Sequence, residues 1–210
     1  MDIVDPFLYK KGVQPPKNTK ASLTKATRLR YHSGSCSLLF GTNTINNMEI
    51  KRLIVGALET NCYLLVSNSE LGIVDPGGEA KKILKEIEGM EAKPKYIINT
   101  HNHPDHTAAN EKIKKETRVQ ILINLKNGEE IKIGNTFLKV IQTPGHTKDS
   151  ICLLGHDFIF TGDTLFENGH GRTDLPGGSQ KEMEESLEKL SKLLRPGMTV
   201  YPGHGEIFQY

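Results

Sequence analysis

The sequence predicts an α/β protein in which two β-sheets lie face to face between outer helices, a four-layer αββα sandwich. Three observations carry that expectation. Short apolar runs follow one another over residues 50–75 with no helical pattern between them, as in a β-meander. Beyond residue 80, apolar residues at helical spacing alternate with strand-like runs. Several of those runs end in turns that present a histidine or an aspartate, as sites on α/β sheets do.

Ile50–Val55 and Cys62–Val66 read as strands, and Gly72-Ile73-Val74-Asp75 reads as a third, stopped by Pro76-Gly77-Gly78. Ala80, Ile83, Leu84 and Ile87 recur at helical spacing up to Gly89. Tyr96-Ile97-Ile98 is a buried-strand run that leads into a histidine cluster, and Asp105 is placed to open a helix ending before Thr117. Strand-like segments follow at Val119–Ile123, Phe137–Ile141, Ile151–Leu154, Phe158–Phe160 and Met198–Val200. Ser179 with Glu182 forms a capping box for a helix with Met183, Leu187, Leu190 and Leu194 on one face, stopped by Pro196-Gly197. No internal repeat is evident.

The chain divides near residue 48. Residues 1–47 hold seven Lys/Arg against two acids, a net +5, which leaves twenty against twenty-three, a net −3, for residues 48–210. The first segment is rich in Ser, Thr, Asn and Lys and lacks periodicity. A disordered extension, an organelle transit peptide and a nucleic-acid-binding arm all fit it. Residues 48–210 are expected to form one domain whose acidic balance argues against gripping nucleic acid. No apolar run reaches the roughly 18–20 residues of a membrane span. Cys36, Cys62 and Cys152 are odd in number and far apart, which favours a reducing, cytoplasmic setting over a disulfide framework; Cys62 and Cys152 lie in apolar runs and read as core thiols.

Three of the eight histidines fall within Thr100-His101-Asn102-His103-Pro104-Asp105-His106. Alternation in an extended segment sends His101 and His103 to one side, and Pro104 then breaks the run. Imidazole and carboxylate donors together suit zinc, iron or manganese, and the lack of thiolate disfavours a structural zinc site. Three further strands end in Thr143-Pro144-Gly145-His146-Thr147, Thr161-Gly162-Asp163-Thr164 and Tyr201-Pro202-Gly203-His204-Gly205, each offering one ligand-type side chain at a Gly-containing turn.

Read in this order, together with Ile73-Val74-Asp75-Pro76-Gly77-Gly78, these motifs resemble the metallo-β-lactamase-fold hydrolases from Met48 to Gly205. Gly171-Arg172-Thr173-Asp174 resembles the small glyoxalase-II-like thioester hydrolases and also the persulfide dioxygenases. The resemblance implies two divalent ions, zinc before iron or manganese. His101, His103 and His146 would bind the first ion, and Asp105, His106 and His204 the second. Asp163 would bridge both, together with a hydroxide that attacks a small S-acyl-glutathione-type thioester. Asp105 and Asp163 are thereby the candidate catalytic carboxylates. A single iron held by His101, His146 and Asp163 would instead suit persulfide oxidation, and RNA processing by the same ligand set is a third reading.

Weaker candidates surround these. Asp75 could orient a ligand histidine or stabilise its turn. Arg172 could face a substrate carboxylate or pin its loop through Asp174. Thr100, Thr147 and Thr164 are candidate supporting hydroxyls. The resemblance gives His170 no metal role, and His32 and His156 lie in no motif and read as surface residues. The chain departs from glyoxalase II in ending six residues after His204, without the helical glutathione-binding domain, and in a short stretch between His106 and His146. Both departures predict an open pocket with weak preference for the glutathione moiety.

Overall fold

The computed structural model describes residues 48–210; the expectations for residues 1–47, including Cys36 and His32, lie outside the described residues. The element order is β1 (Met48–Val55), β2 (Thr60–Ser67), β3 (Glu70–Val74), α1 (Ala80–Glu88), β4 (Lys93–Ile98), α2 (Pro104–Thr107), α3 (Asn110–Thr117), β5 (Gln120–Leu122), β6 (Glu130–Ile133), β7 (Thr136–Gln142), β8 (Ile151–Leu154), β9 (Phe158–Gly162), α4 (Gln180–Leu193), β10 (Thr199–Pro202) and β11 (Phe208–Gln209). One sheet runs β1-β2-β3-β4-β5 and the other β11-β10-β9-β8-β7-β6.

The layering follows from alternation along strands that bury both faces. In β2, Cys62 and Leu64 point outward into a cluster with Ile83 and Ile87 of α1 and Ile113 of α3. Tyr63 and Leu65 point inward against Leu138, Val140, Leu153 and Phe160 of the facing sheet. In β8 and β9 the same alternation sends Cys152 and Ile159 outward to meet Leu190 and Leu194 beside α4. Three apolar layers thus separate helices, sheet, sheet and helix, which is the sandwich expected. Both cysteines are buried free thiols, and burial lifts the Cys152 thiol to about 11.

Three local expectations need correction. The helix placed between Asp105 and Thr117 is two helices, and it begins at Pro104 with His103 as its cap. Ala108 N–H still donates to Pro104 O, but Ala109 N–H donates to Pro76 O at 3.0 Å instead of continuing the ladder. The capping box is half made. Ser179 Oγ accepts from Glu182 N–H, while Ser179 N–H donates to Gly145 O, which ties α4 to the turn carrying His146. On the α4 face Leu187 is only half-buried; buried Ser186 donates to Pro144 O at 2.7 Å. Two strands, β6 and β11, had no counterpart in the sequence reading; each completes an edge by antiparallel pairing.

Strand direction places the site. β3, β4 and β5 are parallel, as are β9 and β10, and two antiparallel steps bring β7 into line with β9. Main-chain bonds join the two sheets' loops there: Asn61 N–H donates to Gly203 O and Ile151 N–H to Thr100 O, both at 2.8 Å.

Candidate metal centre

Each functional side chain stands just past a strand. His101 and His103 follow β4, His103 also caps α2, and α2 carries Asp105 and His106. His146 follows β7, Asp163 follows β9, and His204 follows β10. The structure brings all seven side chains together in three overlapping groups: His101 with His103 and His146, His101 with His106 and Asp163, and Asp105 with His106 and His204.

The spacing of donor atoms fits a cation. A tetrahedral ion with bonds of about 2.0–2.1 Å holds its donors about 3.3 Å apart. His103 Nδ1 lies 3.0 Å from His101 Nε2 and 2.9 Å from His146 Nε2. In the other group His204 Nε2 lies 3.2 Å from both His106 Nε2 and Asp105 Oδ2. Asp163 reaches both groups, with Oδ1 3.5 Å from His106 Nε2 and Oδ2 3.4 Å from His146 Nε2. Asp163 Oδ1 is buried without a hydrogen-bond partner, as a carboxylate oxygen reserved for a cation would be.

Proton bookkeeping points the same way. A carbonyl only accepts, so His146 Nδ1 donates to Arg172 O at 2.7 Å and His204 Nδ1 donates to Leu58 O at 3.0 Å. The Thr100 hydroxyl donates to Asp75 Oδ2 at 2.7 Å and therefore accepts from His101 Nδ1 at 3.2 Å. His106 Nδ1 faces Asp75 Oδ2 at 3.0 Å. At His101, His146 and His204 the proton placed on Nδ1 turns the Nε2 lone pair into the cluster, as a metal-binding imidazole presents it. Asp75 thus faces His106, and Thr100 connects it to His101. Thr147 and Thr164 do not share that role. Thr147 bonds Ser150 at 2.7 Å within its own turn, and Thr164 bonds Thr143 at 2.9 Å between the loops that follow β9 and β7.

Electrostatics separate the groups. Burial, with the neighbouring imidazoles, holds His101 well below its ordinary range, and burial with His146 lowers His103. Burial opposes charge on His106 as well, but the carboxylates of Asp75, Asp163 and Asp105 outweigh it and raise His106 to about 9, so that a proton occupies the place of a cation. Asp105 resists the upward push of burial and falls to about 2 through His204 and His106. His103 and Asp105 are the partly exposed members and mark the mouth.

Two glycines are required by the packing. A Cβ at Gly203 would collide with Asp163 Oδ1, and one at Gly171 would press on Asp163 Cβ and His146 Nδ1 at 2.9 Å each. Arg172 bonds Asp174 through two parallel contacts of 2.8 Å, and its main-chain carbonyl orients His146. Leu58, absent from the sequence reading, supplies the carbonyl behind His204. His170 is buried and donates from Nδ1 to Gly171 O outside the ligand groups, while His156 is exposed as expected.

Comparison with known proteins agrees with this geometry. The model of the Metallo-beta-lactamase superfamily matches residues 55–132 and 120–204. The "Probable polyketide biosynthesis zinc-dependent hydrolase PksB" of Bacillus subtilis (strain 168) is 35% identical over 162 residues, spanning 68% of this chain and 72% of the relative. "Hydroxyacylglutathione hydrolase GloC" of Haemophilus influenzae is 28% identical over 193 residues, spanning 75% of this chain and 91% of the relative. Among solved structures, ETHE1 from Myxococcus xanthus superposes with a TM-score of 0.72 at 27% identity, covering 77% of this chain and 79% of that one. The chain belongs to the metallo-beta-lactamase superfamily and is a metal-dependent hydrolase of it.

Proposed function

We propose that this chain hydrolyses small thioesters of the S-acyl-glutathione type at a dinuclear centre. His101, His103 and His146 would hold one ion and Asp105, His106 and His204 the other, with Asp163 within reach of both groups. The observation that carries the reading is the complete donor set, with bare Nε2 atoms in both groups and the two oxygens of Asp163 facing different groups. When bound, two divalent ions, zinc first and iron or manganese next, supply Lewis acidity and bring the pKa of water from 15.7 towards 7.

The chain's own residues do the remaining work. Asp163, buried, fixes the spacing of the two groups. Asp105, held ionised by a pKa of about 2, stands at the mouth, where it accepts a hydrogen bond from attacking water and holds that water in line. Asp75 keeps His106 and, through Thr100, His101 in the tautomers that present Nε2. Half-exposed His103 leaves room on its side for an acyl carbonyl. A thiolate leaves without a proton, so the departing group needs no general acid. Free Cys62 and Cys152 suit a reducing, cytoplasmic setting, where thiol cofactors stay reduced.

A second reading, persulfide oxidation at one iron, draws on His101, His146 and Asp163, whose ligand atoms also lie together: His146 Nε2 is 3.4 Å from Asp163 Oδ2. Elemental analysis of protein purified without chelator, combined with a thioester assay, separates them. The hydrolase gives about two ions per chain and thioester turnover. One iron per chain with no thioester turnover overturns it.

A further inference from the structure

A groove of about 730 Å³ lies beside the centre, within the roughly 300–1,000 Å³ of small-molecule sites, and it shares buried His101 with the cluster. Its apolar part is Ile121, Leu122, Ile123, Leu125 and Ile151, contributed by short β5, the turn after it and the start of β8. Three lysines stand around it: Lys114 on α3, Lys126 in the turn before β6, and Lys148 two residues after His146. All three are exposed, and among the described residues none makes an ion pair. Two acids share the lining. Asp149 Oδ2 accepts from Asn102 Nδ2 at 2.6 Å, which engages one carboxylate and ties the His101 loop to the His146 loop. That bond leaves the Asp149 charge in place, so three ammonium groups stand against two carboxylates and the lining carries a net +1.

Unpaired like charges around one concavity repel one another and add nothing to the fold. Their field is relieved when an anion enters, and the apolar wall offers burial for the methylene chain that carries the anion. We propose that this groove receives the thiol half of the thioester, and that Lys114, Lys126 and Lys148 select thiols bearing several negative charges, carboxylate or phosphate. The inference rests on the thioesterase reading of the adjoining centre. It departs from the weak thiol preference expected of a shortened stretch: the shortening opens a space, but that space has a charged rim.

The test uses the zinc-loaded full chain and two thiol-half probes that cannot be hydrolysed, S-methylglutathione for carboxylates and desulfo-coenzyme A for phosphates. Calorimetry is expected to show binding of at least one probe, weakened by added salt and weakened about tenfold or more in the triple variant Lys114→Ala, Lys126→Ala, Lys148→Ala. The triple arginine variant is expected to bind as the parent does, which separates loss of charge from loss of fold. Lys81→Ala, exposed on α1 and far along the chain, serves as the surface control. The probe that loses affinity names the anion. Neither probe binding, binding indifferent to the three lysines, or a groove filled by a second copy (a dimer in sedimentation with no probe uptake) overturns the inference. Turnover separates it from the reading beneath it. Lysine-dependent probe binding with no thioester hydrolysed leaves the groove standing and sinks the thioesterase. Equal kcat/KM for charged and uncharged thioesters of one acyl group does the reverse.

Discussion

The two groups of the centre are built from different materials. His101, His103 and His146 are imidazoles alone, two of them held below their ordinary range by burial and by one another. Asp105, His106 and His204 include a carboxylate, and His106 rests on Asp75 at 3.0 Å. Neutral nitrogens attract a cation through lone pairs only, whereas the second group adds fixed negative charge in a buried place, where it is weakly screened. With Asp163 shared by both, the second group is expected to be the tighter one and the first the one that exchanges.

Asp163 is the member common to both, so its removal has the largest effect. Asp163→Ala should lower kcat by a thousandfold or more, on the order of an oxyanion-hole deletion or beyond, and reduce metal content at both groups. An active variant retaining two ions would mean that the groups are independent. His146→Ala should come next. It breaks the group of imidazoles alone, so elemental analysis should fall from about two ions to about one and turnover by roughly a hundredfold or more. If both ions leave together, the contrast between the groups is wrong.

Asp75→Asn is expected to weaken the second ion by about 10–100-fold and leave the first in place, as loss of a supporting carboxylate does. Competition with a chelator reads the two affinities separately, and an equal loss at both would mean that Asp75 acts through Thr100 on His101 as strongly as on His106. Acid–base behaviour of the stripped protein gives a finer check. His106 has its folded pKa raised to about 9 from the ordinary 6.5, so its stabilisation is complete below 6.5 and is lost as the pH rises through 9. His101 and His103 are shifted downward and act below that window. Metal-free protein should thus melt lower at pH 9.5 than at pH 7, while His106→Gln should flatten the difference. The smallest effect belongs to His156→Ala, exposed and distant, for which unchanged turnover is expected.

Much of this centre could be read in the sequence because ligand chemistry is written in side chains. His101, His103, Asp105, His106, His146, Asp163 and His204 all stand at strand ends marked by Gly or Pro, and they converge as their motifs implied. What escaped is written in main-chain atoms. The carbonyls of Leu58 and Arg172 orient His204 and His146, and any residue could supply them. The break between α2 and α3 depends on Pro76 O, more than thirty residues upstream of Ala109, which no local periodicity reveals. Strand β6 carried a usable signal, Ile131 and Ile133 alternating with charged residues ahead of Gly134, but at four residues it is too short to stand out.

The join between the two sheets has a consequence for how such a protein changes over generations. Asn61 to Gly203 and Ile151 to Thr100 are bonds between backbone groups, which no substitution other than proline deletes. The loops they fasten can therefore exchange their outward side chains, Lys148 among them, while the clustered histidines and aspartates keep their places. Inheritance can then revise what the protein accepts without first unlearning how it reacts.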